Sequence, residues 1–399
     1  MHVAIIGAGQ AGAALAAKLR SAGHAGPITL IGAEPVAPYQ RPPLSKAYLL
    51  GDLPLDRLLL RAPDFWAAQD IALITDRVAT AIDPAARTLT MGGDVLAWDH
   101  LALTTGARVR RLPEAMGGGL AGVHYVRTLA DVDGMAPEFV TGRRVLIVGG
   151  GYIGLEAAAV ATKKGLSVTL VEAAPRILQR VAAPQTSDWF RALHQSHGVT
   201  ILEGTGLARL TGTDRVNGAD LADGRHIGCD FAIVGVGILP ETGLAEAAGL
   251  RVDNGIATDA QGQTSAPGIW AAGDCASFPH AGGRLRLESV PGAIDMAECV
   301  AENMLGAGRS YVPRPWFWSD QYDIKLQIAG LNSGFDRVVI RDTGAARSHW
   351  YFAGDRLLAV DAMNDPRAFM IARRLIEAGR GADPAMVADP GADLKALLT

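Results

Sequence analysis

Residues 3–12 read VAIIGAGQAG and residues 145–154 read VLIVGGGYIG. Each stretch is an apolar, strand-like run followed by a G-x-G-x-x-G pattern, and an alanine-rich run of helical composition comes next. Glycine permits the tight turn from strand to helix, and the free N–H groups of a helix N-terminus suit a pyrophosphate. The two stretches therefore predict two dinucleotide sites in one chain, with electrons passing between the dinucleotides.

An acidic residue follows each G-x-G-x-x-G pattern, here called a fingerprint, at the sequence distance that a ribose contact requires. Glu34 stands 22 residues beyond Gly12, and Glu172 stands 18 residues beyond Gly154. A carboxylate there accepts hydrogen bonds from ribose hydroxyls and repels a 2′-phosphate. Glu172 therefore predicts NAD rather than NADP at the second site. Good packing of a glycine-rich turn explains one isolated fingerprint, but it does not explain two with their acids in place.

Composition bounds the class of protein. A chain of 399 residues predicts two or three domains, and 48 glycines with 6% aromatic residues are typical of an α/β protein with many tight turns. The net charge of −4 does not indicate a nucleic-acid partner. The sequence contains no apolar run of 18 residues, so no membrane span is predicted. The first strand begins at His2 or Val3, which leaves no room for a targeting peptide, so a cytoplasmic location is predicted.

The cysteines and paired histidines indicate neither a redox dithiol nor a metal site. Cys229, Cys275 and Cys299 form no C-x-x-C or C-x-x-x-x-C pair, which excludes a disulfide scaffold and thioredoxin-type chemistry. We expect all three to be buried. His194 and His197 lie three apart without a neighbouring cysteine or acidic cluster, and we expect them at the surface rather than on a metal.

The order of strand-like and helix-like runs predicts the domain organisation. The first β-α-β unit is interrupted by the second and resumes at Gly268–Asp274. The predicted fold class is α/β, with two Rossmann-like dinucleotide-binding domains and a C-terminal α+β domain. We place the first domain at 1–111 and 242–312, the second at 112–241, and the third at 313–399. The last dozen residues are expected to be loosely held.

Six further motifs make the chain resemble, along its whole length, the oxygenase-coupled NADH:ferredoxin reductase family of flavoproteins. They are Tyr39–Lys46, Thr105–Arg108, Gly151–Glu156, Ala272–Ala276, Glu288–Val290 and Trp316–Gln321. The resemblance implies a tightly bound, non-covalent FAD in the first domain and NADH in the second. It also implies a C-terminal domain that helps to receive an iron–sulfur protein. That partner is expected to be an acidic 2Fe–2S ferredoxin, which supplies a terminal Rieske dioxygenase or cytochrome haem monooxygenase.

The resemblance also implies roles for particular residues. Lys46 and Glu156 are expected to form a salt bridge beside the reactive edge of the flavin, where the lysine stabilises the anionic reduced flavin. Trp318 is expected near the flavin and the docking face, and these three are the predicted catalytic residues. The predicted FAD contacts are Gly7, Gly9, Ala11, Gly12, Glu34, Arg41, Lys46, Val78, Thr105, Gly106, Arg108, Asp274, Val290 and Trp318. The predicted NAD contacts are Gly149, Gly151, Tyr152, Ile153, Gly154, Glu172, Arg180, Gly237 and Glu288.

The partner and the alternatives stay open at this point. Arg367, Arg373, Arg374 and Arg380, against Glu377, form a local basic excess that suits an acidic partner, although a solvated helix face explains it equally well. The alternatives are a rubredoxin reductase and an NADH-sensing flavoprotein like apoptosis-inducing factor. The family usually carries Asn and Gln at the positions of Gly292 and Met296, so this chain departs there. A monomer or weak homodimer, without metal, nucleic acid or membrane, is expected.

Overall fold

The computed structural model describes all residues from Met1 to Thr399, and the chain forms two compact units. The first unit consists of Met1–Arg41, Pro54–Arg108 and Ile238–Pro315. The second consists of Pro42–Leu53, Val109–Gly237 and Trp316–Thr399. The division into three domains stays a prediction, because compactness groups the second β-α-β region and the C-terminal region together.

The first unit is built around a five-stranded parallel sheet. Its central strand Val3–Ile6 is buried at every position, as expected of a parallel strand covered on both faces. Helix Gln10–Ser21 follows the first fingerprint and packs along the later helix Val290–Met304. The strand order across the sheet is Ile269–Ala271, His100–Leu103, Val3–Ile6, Ile28–Ile31 and Ile71–Ile74.

Smaller elements complete the first unit. Two three-stranded sheets consist of Ala79–Asp83, Thr88–Met91 and Asp94–Ala97, and of Ile256–Ala257, Ala276–His280 and Gly283–Leu285. The short strands Ala107–Val109 and Ile238–Pro240 also pair. The remaining helices are Leu55–Leu58, Phe65–Ala68 and Gly243–Ala247.

The second unit contains another five-stranded parallel sheet, which repeats the first arrangement. Its central strand Arg144–Val148 leads into helix Tyr152–Lys163, and that helix begins directly after Gly151. The strand order is Thr200–Glu203, Ser167–Glu172, Arg144–Val148, Phe231–Val234 and Val123–His124. The other strands are Leu207–Gly212, Val216–Leu221 and His226–Gly228, and the helices and helical turns are Pro42–Ser45, Ala47–Leu50, Glu114–Met116, Leu129–Met135, Ala136–Glu138 and Pro184–Ser196.

A five-stranded antiparallel sheet and its covering helix form the C-terminal part of the second unit. Helix Pro366–Glu377 starts at Asp365, whose side chain accepts a hydrogen bond from the N–H of Ala368, and the helix packs on the sheet. Trp350 and Phe352 are fully buried in this core. The strand order is Trp316–Gln321, Ile324–Gly330, Arg356–Met363, Arg347–Ala353 and Arg337–Asp342, and Pro384–Ala388 and Leu394–Leu398 are short helical segments.

The last residues are not loosely held, so that expectation is wrong. Leu394 and Leu397 are buried in the C-terminal core. The guanidinium of Arg380 donates to the carbonyl oxygens of Leu397 and Leu398, at 3.1 and 2.8 Å. Burial of leucine side chains and pairing of terminal carbonyls fix the segment, which hydropathy at a chain end does not reveal.

The structure bears out the expectation for the cysteines and contradicts it for one histidine. Cys229, Cys275 and Cys299 are buried thiols. His197 is exposed, but His194 is fully buried, so its predicted surface position is wrong. His194 lies on the inner face of helix Pro184–Ser196, where Gln321 and Tyr322 offer hydrogen-bond partners.

Candidate functional site

The first fingerprint forms a cradle that only glycine permits. Gly7 has a φ of +110°, and a Cβ there would overlap the carbonyl of Thr104 on the adjacent strand. A Cβ at Gly12 would overlap the carbonyl of Gly7, so helix and turn are in direct backbone contact. Nothing lies within 4 Å of the position that a Cβ at Gly9 would take. The turn therefore leaves open space directly before the helix N-terminus, where a pyrophosphate fits.

Two helix N-termini meet at this cradle. Ala11 lies in the first turn of helix Gln10–Ser21, and Val290 begins helix Val290–Met304. A Cβ at Gly273 would lie 2.9 Å from the Cβ of Ala11 and 3.6 Å from that of Ala293, so both helices start beside the Gly273–Asp274 turn. The structure thus brings Ala11, Asp274 and Val290 together with the first fingerprint. Two helix dipoles of the same sign favour an anionic ligand there.

The acid of the first fingerprint is held by two predicted neighbours. Tyr39 O–H donates to Oε2 of Glu34 at 2.6 Å, and Arg41 Nη2 donates to Oε1 at 2.6 Å. Arg41 is thus paired with Glu34. Val78 is exposed and follows Arg77, whose N–H donates to the carbonyl of Gly32, so its backbone runs beside the Glu34 loop. This grouping suits the adenosine end of a dinucleotide.

The carboxyl end of the neighbouring strand His100–Leu103, beside the first glycine turn, carries the predicted FAD contacts Thr105, Gly106 and Arg108. Thr105 Oγ1 donates to the carbonyl of Glu241 at 2.7 Å, and Gly106 has a φ of +71°. The guanidinium of Arg108 is paired with the Glu241 carboxylate. Glu241 therefore anchors the Thr105–Arg108 segment, a role that the sequence did not indicate.

The second fingerprint repeats the cradle. Gly149 has a φ of +107°, and a Cβ there would overlap the carbonyl of Gly235 on the adjacent strand. A Cβ at Gly154 would overlap the carbonyl of Gly149, whereas Gly151 faces open space. Gly237, two residues beyond Gly235, has a φ of +102°. The predicted residues Gly149, Gly151, Gly154 and Gly237 thus surround one open turn at the start of a helix.

Glu172 lies at the edge of that turn. Its Oε2 accepts from the N–H of Gly150 at 2.7 Å, and its Oε1 accepts from the N–H of Ala174 at 2.7 Å. Each carboxylate oxygen keeps a further lone pair for a ribose hydroxyl. Arg180 is exposed and makes no ion pair, while Arg176 is turned inward onto Ser187. Only Arg180 of the two arginines is therefore available to a phosphate.

Tyr152 and Ile153 take opposite orientations at the helix start. The Tyr152 ring packs against Phe317, with 4.8 Å between ring centroids, and its hydroxyl is buried without a hydrogen-bond partner. Burial raises the pKa of Tyr152. Ile153 is 42% exposed, so its side chain is available to a ligand. The electrostatic neighbours of the Tyr152 hydroxyl are the interior groups Asp361, Tyr351 and Glu156, so of the two residues only Ile153 is available to a ligand.

Lys46 and Glu156 form the ion pair that the family resemblance implied. Lys46 Nζ lies 2.7 Å from Oε2 of Glu156, and Glu156 is only 2% exposed. Two serines complete the carboxylate shell: Ser45 Oγ donates to Oε2 at 2.5 Å and Ser319 Oγ donates to Oε1 at 2.6 Å. Such donors offset the cost of burying a charge. Neither serine was among the predicted site residues, although both lie in quoted motifs.

Trp318 lies on strand Trp316–Gln321 and is half-buried. Its ring centroid is 5.5 Å from that of Trp316 and 6.5 Å from that of Phe317. Trp316 packs further into the C-terminal core against Phe369. Trp318 therefore ends an aromatic cluster on the side away from that core, while Trp316 serves the core.

One predicted NAD contact belongs to the first unit, whereas the others belong to the second. Glu288 belongs to the first unit, where it pairs with Arg286 at 2.6 Å. Arg286 also donates to the backbone carbonyl of Asp274 at 3.1 Å, so it links two predicted ligand residues. No sequence signal pointed to Arg286, because a lone arginine in an irregular segment has no pattern.

These features define a class: a protein with two glycine cradles for two dinucleotides, a buried lysine–glutamate pair and no paired thiols. No group of three or more metal-ligating side chains occurs, and none of the helices is both long and apolar enough to cross a bilayer. Residues 1–297 match the family described as pyridine nucleotide-disulphide oxidoreductase, and residues 316–398 match a family described as reductase C-terminal. The chain belongs to the pyridine nucleotide-disulphide oxidoreductase family.

Its relatives are ferredoxin reductases of oxygenase systems. Putidaredoxin reductase of Pseudomonas putida is 40% identical over 100% of this chain and 96% of its own length. The ferredoxin–NAD(+) reductase component of the anthranilate 1,2-dioxygenase system of Burkholderia cepacia is 39% identical over 99% of this chain and 98% of its own. In the covalent putidaredoxin reductase–putidaredoxin complex, a 40% identical chain superposes with a TM-score of 0.95, covering 100% of this chain and 98% of that chain. The predicted fold class and the use of FAD and NADH are confirmed.

Proposed function

We propose that this chain is the FAD-dependent NADH:ferredoxin oxidoreductase of an oxygenase system and that its acceptor is a 2Fe–2S ferredoxin. The observation that carries this function is the buried Lys46–Glu156 pair in a chain with two glycine cradles. Disulfide reduction by protein thiols needs an accessible, activated cysteine, and Cys229, Cys275 and Cys299 are separate, buried thiols. The redox work therefore belongs to a cofactor.

The first unit supplies the flavin site. The N-termini of helices Gln10–Ser21 and Val290–Met304 hold a pyrophosphate, Glu34 accepts from a ribose, and Asp274 accepts from further hydroxyls. Arg41 keeps Glu34 in place, and its partly exposed guanidinium is the group that would pair with a phosphate. Bound FAD supplies the chemistry that converts a two-electron hydride donor into a source of single electrons.

The second unit supplies the NADH site. The N-terminus of helix Tyr152–Lys163 holds the pyrophosphate, and the remaining lone pairs of Glu172 accept from the adenosine ribose. A 2′-phosphate in the same place would meet the fixed Glu172 carboxylate, so NADH is preferred. Arg180, which follows Glu172 in the chain and is exposed, is the cation that we assign to a phosphate.

Lys46 supplies a fixed positive charge. Its ammonium group is bound by Glu156 at 2.7 Å and by the carbonyl of Pro42 at 3.1 Å. A held ammonium stabilises negative charge that develops on a neighbouring group without reorganising during the reaction. Glu156 needs no proton transfer for this role, because it acts by orienting Lys46.

The partner is proposed from chemistry and from the relatives. Trp318 presents a half-buried aromatic surface, which we assign to the approach of the iron–sulfur protein. Of the four arginines in the basic excess, Arg367 pairs with Asp393, Arg373 pairs with Glu377, and Arg380 binds terminal carbonyls. Only Arg374 has no such contact, so the excess gives little support to an acidic partner. The partner's acidity, a monomer or weak homodimer, and a cytoplasmic location stay predictions.

The test is NADH-driven cytochrome c reduction by the purified flavoprotein, with a 2Fe–2S ferredoxin, a rubredoxin or neither added. A rate increase of about tenfold or more with the ferredoxin alone supports the proposal. The same increase with rubredoxin alone identifies a rubredoxin reductase. Slow turnover with every carrier, despite rapid bleaching of the flavin by NADH, identifies a redox-sensing flavoprotein.

A further inference from the structure

A buried chain of polar side chains leads away from Glu156 within the second unit. Ser319 Oγ lies 2.6 Å from Glu156 Oε1, and Gln321 Nε2 lies 3.1 Å from Ser319 Oγ. Gln321 Oε1 lies 2.8 Å from His194 Nε2, and His194 Nδ1 lies 3.1 Å from the Tyr322 hydroxyl. Ser319, Gln321 and His194 have no solvent exposure. Four consecutive contacts thus connect the carboxylate of the ion pair to a half-buried tyrosine.

The chemistry of the donors and acceptors gives these four hydrogen bonds one common direction. Ser319 has a single proton, and ionised Glu156 can only accept, so that proton belongs to Glu156. Ser319 then needs a donor, which is the Gln321 amide N–H. Gln321 Oε1 in turn accepts, which requires the Nε2–H tautomer of His194. The remaining ring nitrogen, Nδ1, accepts from Tyr322. Every hydrogen bond therefore donates toward Glu156.

His194 is suited to hold this direction at physiological pH. Burial lowers the pKa of His194 to about 4, so the ring stays neutral. The groups that face it are Gln321 at Nε2, Tyr322 at Nδ1, and His197, whose ring stacks on Tyr322 at 3.7 Å between centroids. Tyr322 has a φ of +57°, a costly conformation for an aromatic residue, and in that conformation its hydroxyl reaches His194.

We propose that Ser319, Gln321 and His194 are positioning residues that hold Glu156 as the acceptor for Lys46. An amide side chain does not pass protons readily, so this row of hydrogen bonds orients the Glu156 carboxylate and is not a proton path. Each buried donor stabilises the next, and removing one member leaves its neighbour with an unsatisfied buried polar group. The consequence for the flavin rests on the proposed function: a loosened Glu156 leaves the Lys46 charge unfixed.

The tautomer provides a test that does not depend on catalysis. Nitrogen-15 NMR of histidine-labelled holoprotein is expected to show His194 as Nε2–H from about pH 8 down to about pH 5, above its lowered pKa. His349 is the internal control, because Arg347 Nε donates to its Nε2 at 3.0 Å, which leaves Nδ1–H facing Thr186. The two buried histidines should therefore show opposite tautomers. An Nδ1–H tautomer at His194 would mean that the Gln321 amide is reversed and would overturn the proposal.

The second test uses Gln321→Leu, with Thr186→Val as the matched control. Thr186 lies on the same helix as His194 and also hydrogen-bonds to the C-terminal sheet, but it does not touch Glu156. We expect Gln321→Leu to slow flavin reduction at saturating NADH about tenfold with an unchanged Kd for NADH. We also expect it to lower the two-electron midpoint potential by about 30 mV, a tenfold change in the equilibrium constant.

The outcomes separate the two proposals. Gln321→Leu and Thr186→Val could lose equal thermal stability while both keep the midpoint potential of the wild type. That result would show that the hydrogen bonds only stabilise the fold, and it would overturn the inference. If Gln321→Leu does not fold, His194→Gln and His194→Phe replace it. Glutamine keeps an N–H donor for Gln321 and should preserve the potential, whereas phenylalanine should not. Failure of the wild-type protein to be reduced by NADH would refute the proposed function and leave the tautomer result standing.

Discussion

Replacing Asp361 with asparagine is expected to remove a specific pH dependence of stability. Asp361 is fully buried in the C-terminal sheet, where it accepts hydrogen bonds from the hydroxyls of Thr186 and Tyr351. Burial raises the pKa of Asp361 from 3.8 to about 6, although those two hydrogen bonds oppose the shift. The other titratable groups beside it are Tyr152, whose pKa burial and Asp361 raise, and His349, whose pKa burial lowers to about 4. Arg347 donates to His349.

The direction and the size of the change in unfolding free energy with pH follow from the linkage between proton binding and folding. Between pH 3.8 and about 6 the folded protein keeps a proton on Asp361 that the unfolded chain releases, so stability falls as pH rises through the folded pKa. A shift of about two pKa units corresponds to about 3 kcal/mol at about 1.4 kcal/mol per unit. Asparagine at this position does not titrate, and its amide oxygen can still accept from Thr186 and Tyr351.

The assay is urea unfolding of the holoprotein, followed by circular dichroism, at half-unit steps from about pH 4 to about pH 7. The quantity is the free energy of unfolding of wild type minus that of Asp361→Asn, because the contributions of groups distant from Asp361, such as His194, cancel in this difference. We expect it to fall by about 3 kcal/mol across the range. Asp355→Asn, at an exposed site, controls for the loss of a surface charge. Parallel pH curves for wild type and Asp361→Asn would refute the reasoning.

Three further predictions concern the nucleotide sites and the ion pair. Gly7→Ala should yield protein without bound FAD, because its Cβ would overlap the Thr104 carbonyl. The control variant Gly23→Ala, at a φ of +89° in open space, should retain FAD. The flavin absorbance band of the purified protein measures both. Glu172→Ala should lower the NADH-to-NADPH ratio of kcat/KM about tenfold or more, and an unchanged ratio counts against Glu172 as the ribose contact. Lys46→Met should destabilise the protein by about 3–5 kcal/mol, since it leaves Glu156 charged and buried, and the double variant Lys46→Met/Glu156→Gln should recover part of that loss in thermal unfolding.

Much of the cofactor machinery was predictable from local patterns. The strand–glycine–helix stretches at Gly7 and Gly149 depend on backbone sterics between residues close in sequence, so the motif itself carries the geometry. The Lys46–Glu156 pair lies 110 residues apart in the chain, and only the resemblance to a family connected the two. The structure pairs Arg41 with Glu34, which the sequence did not indicate, and the flavin contact of Arg41 stays a prediction.

The buried polar chains were not predictable, and the reason is physical. Ser319 and Gln321 are two residues apart on a strand, which places them on one face, but their alternation alone does not say what that face meets. His194 looked like a surface residue because helix Pro184–Ser196 gives no local sign that its inner face covers polar groups. Hydrogen-bond partners 111 to 175 residues away decide whether such a side chain is buried.

The sequence by itself determined the two dinucleotide cradles, the acid of each and the lack of paired thiols, because short-range backbone geometry and residue chemistry fix all three. Only the tertiary structure decided which polar side chains surround Glu156, which tautomer His194 adopts and why the last residues are held. Those features depend on burial and on partners distant in the chain. The free energy of a buried charge or hydrogen bond is set by everything around it.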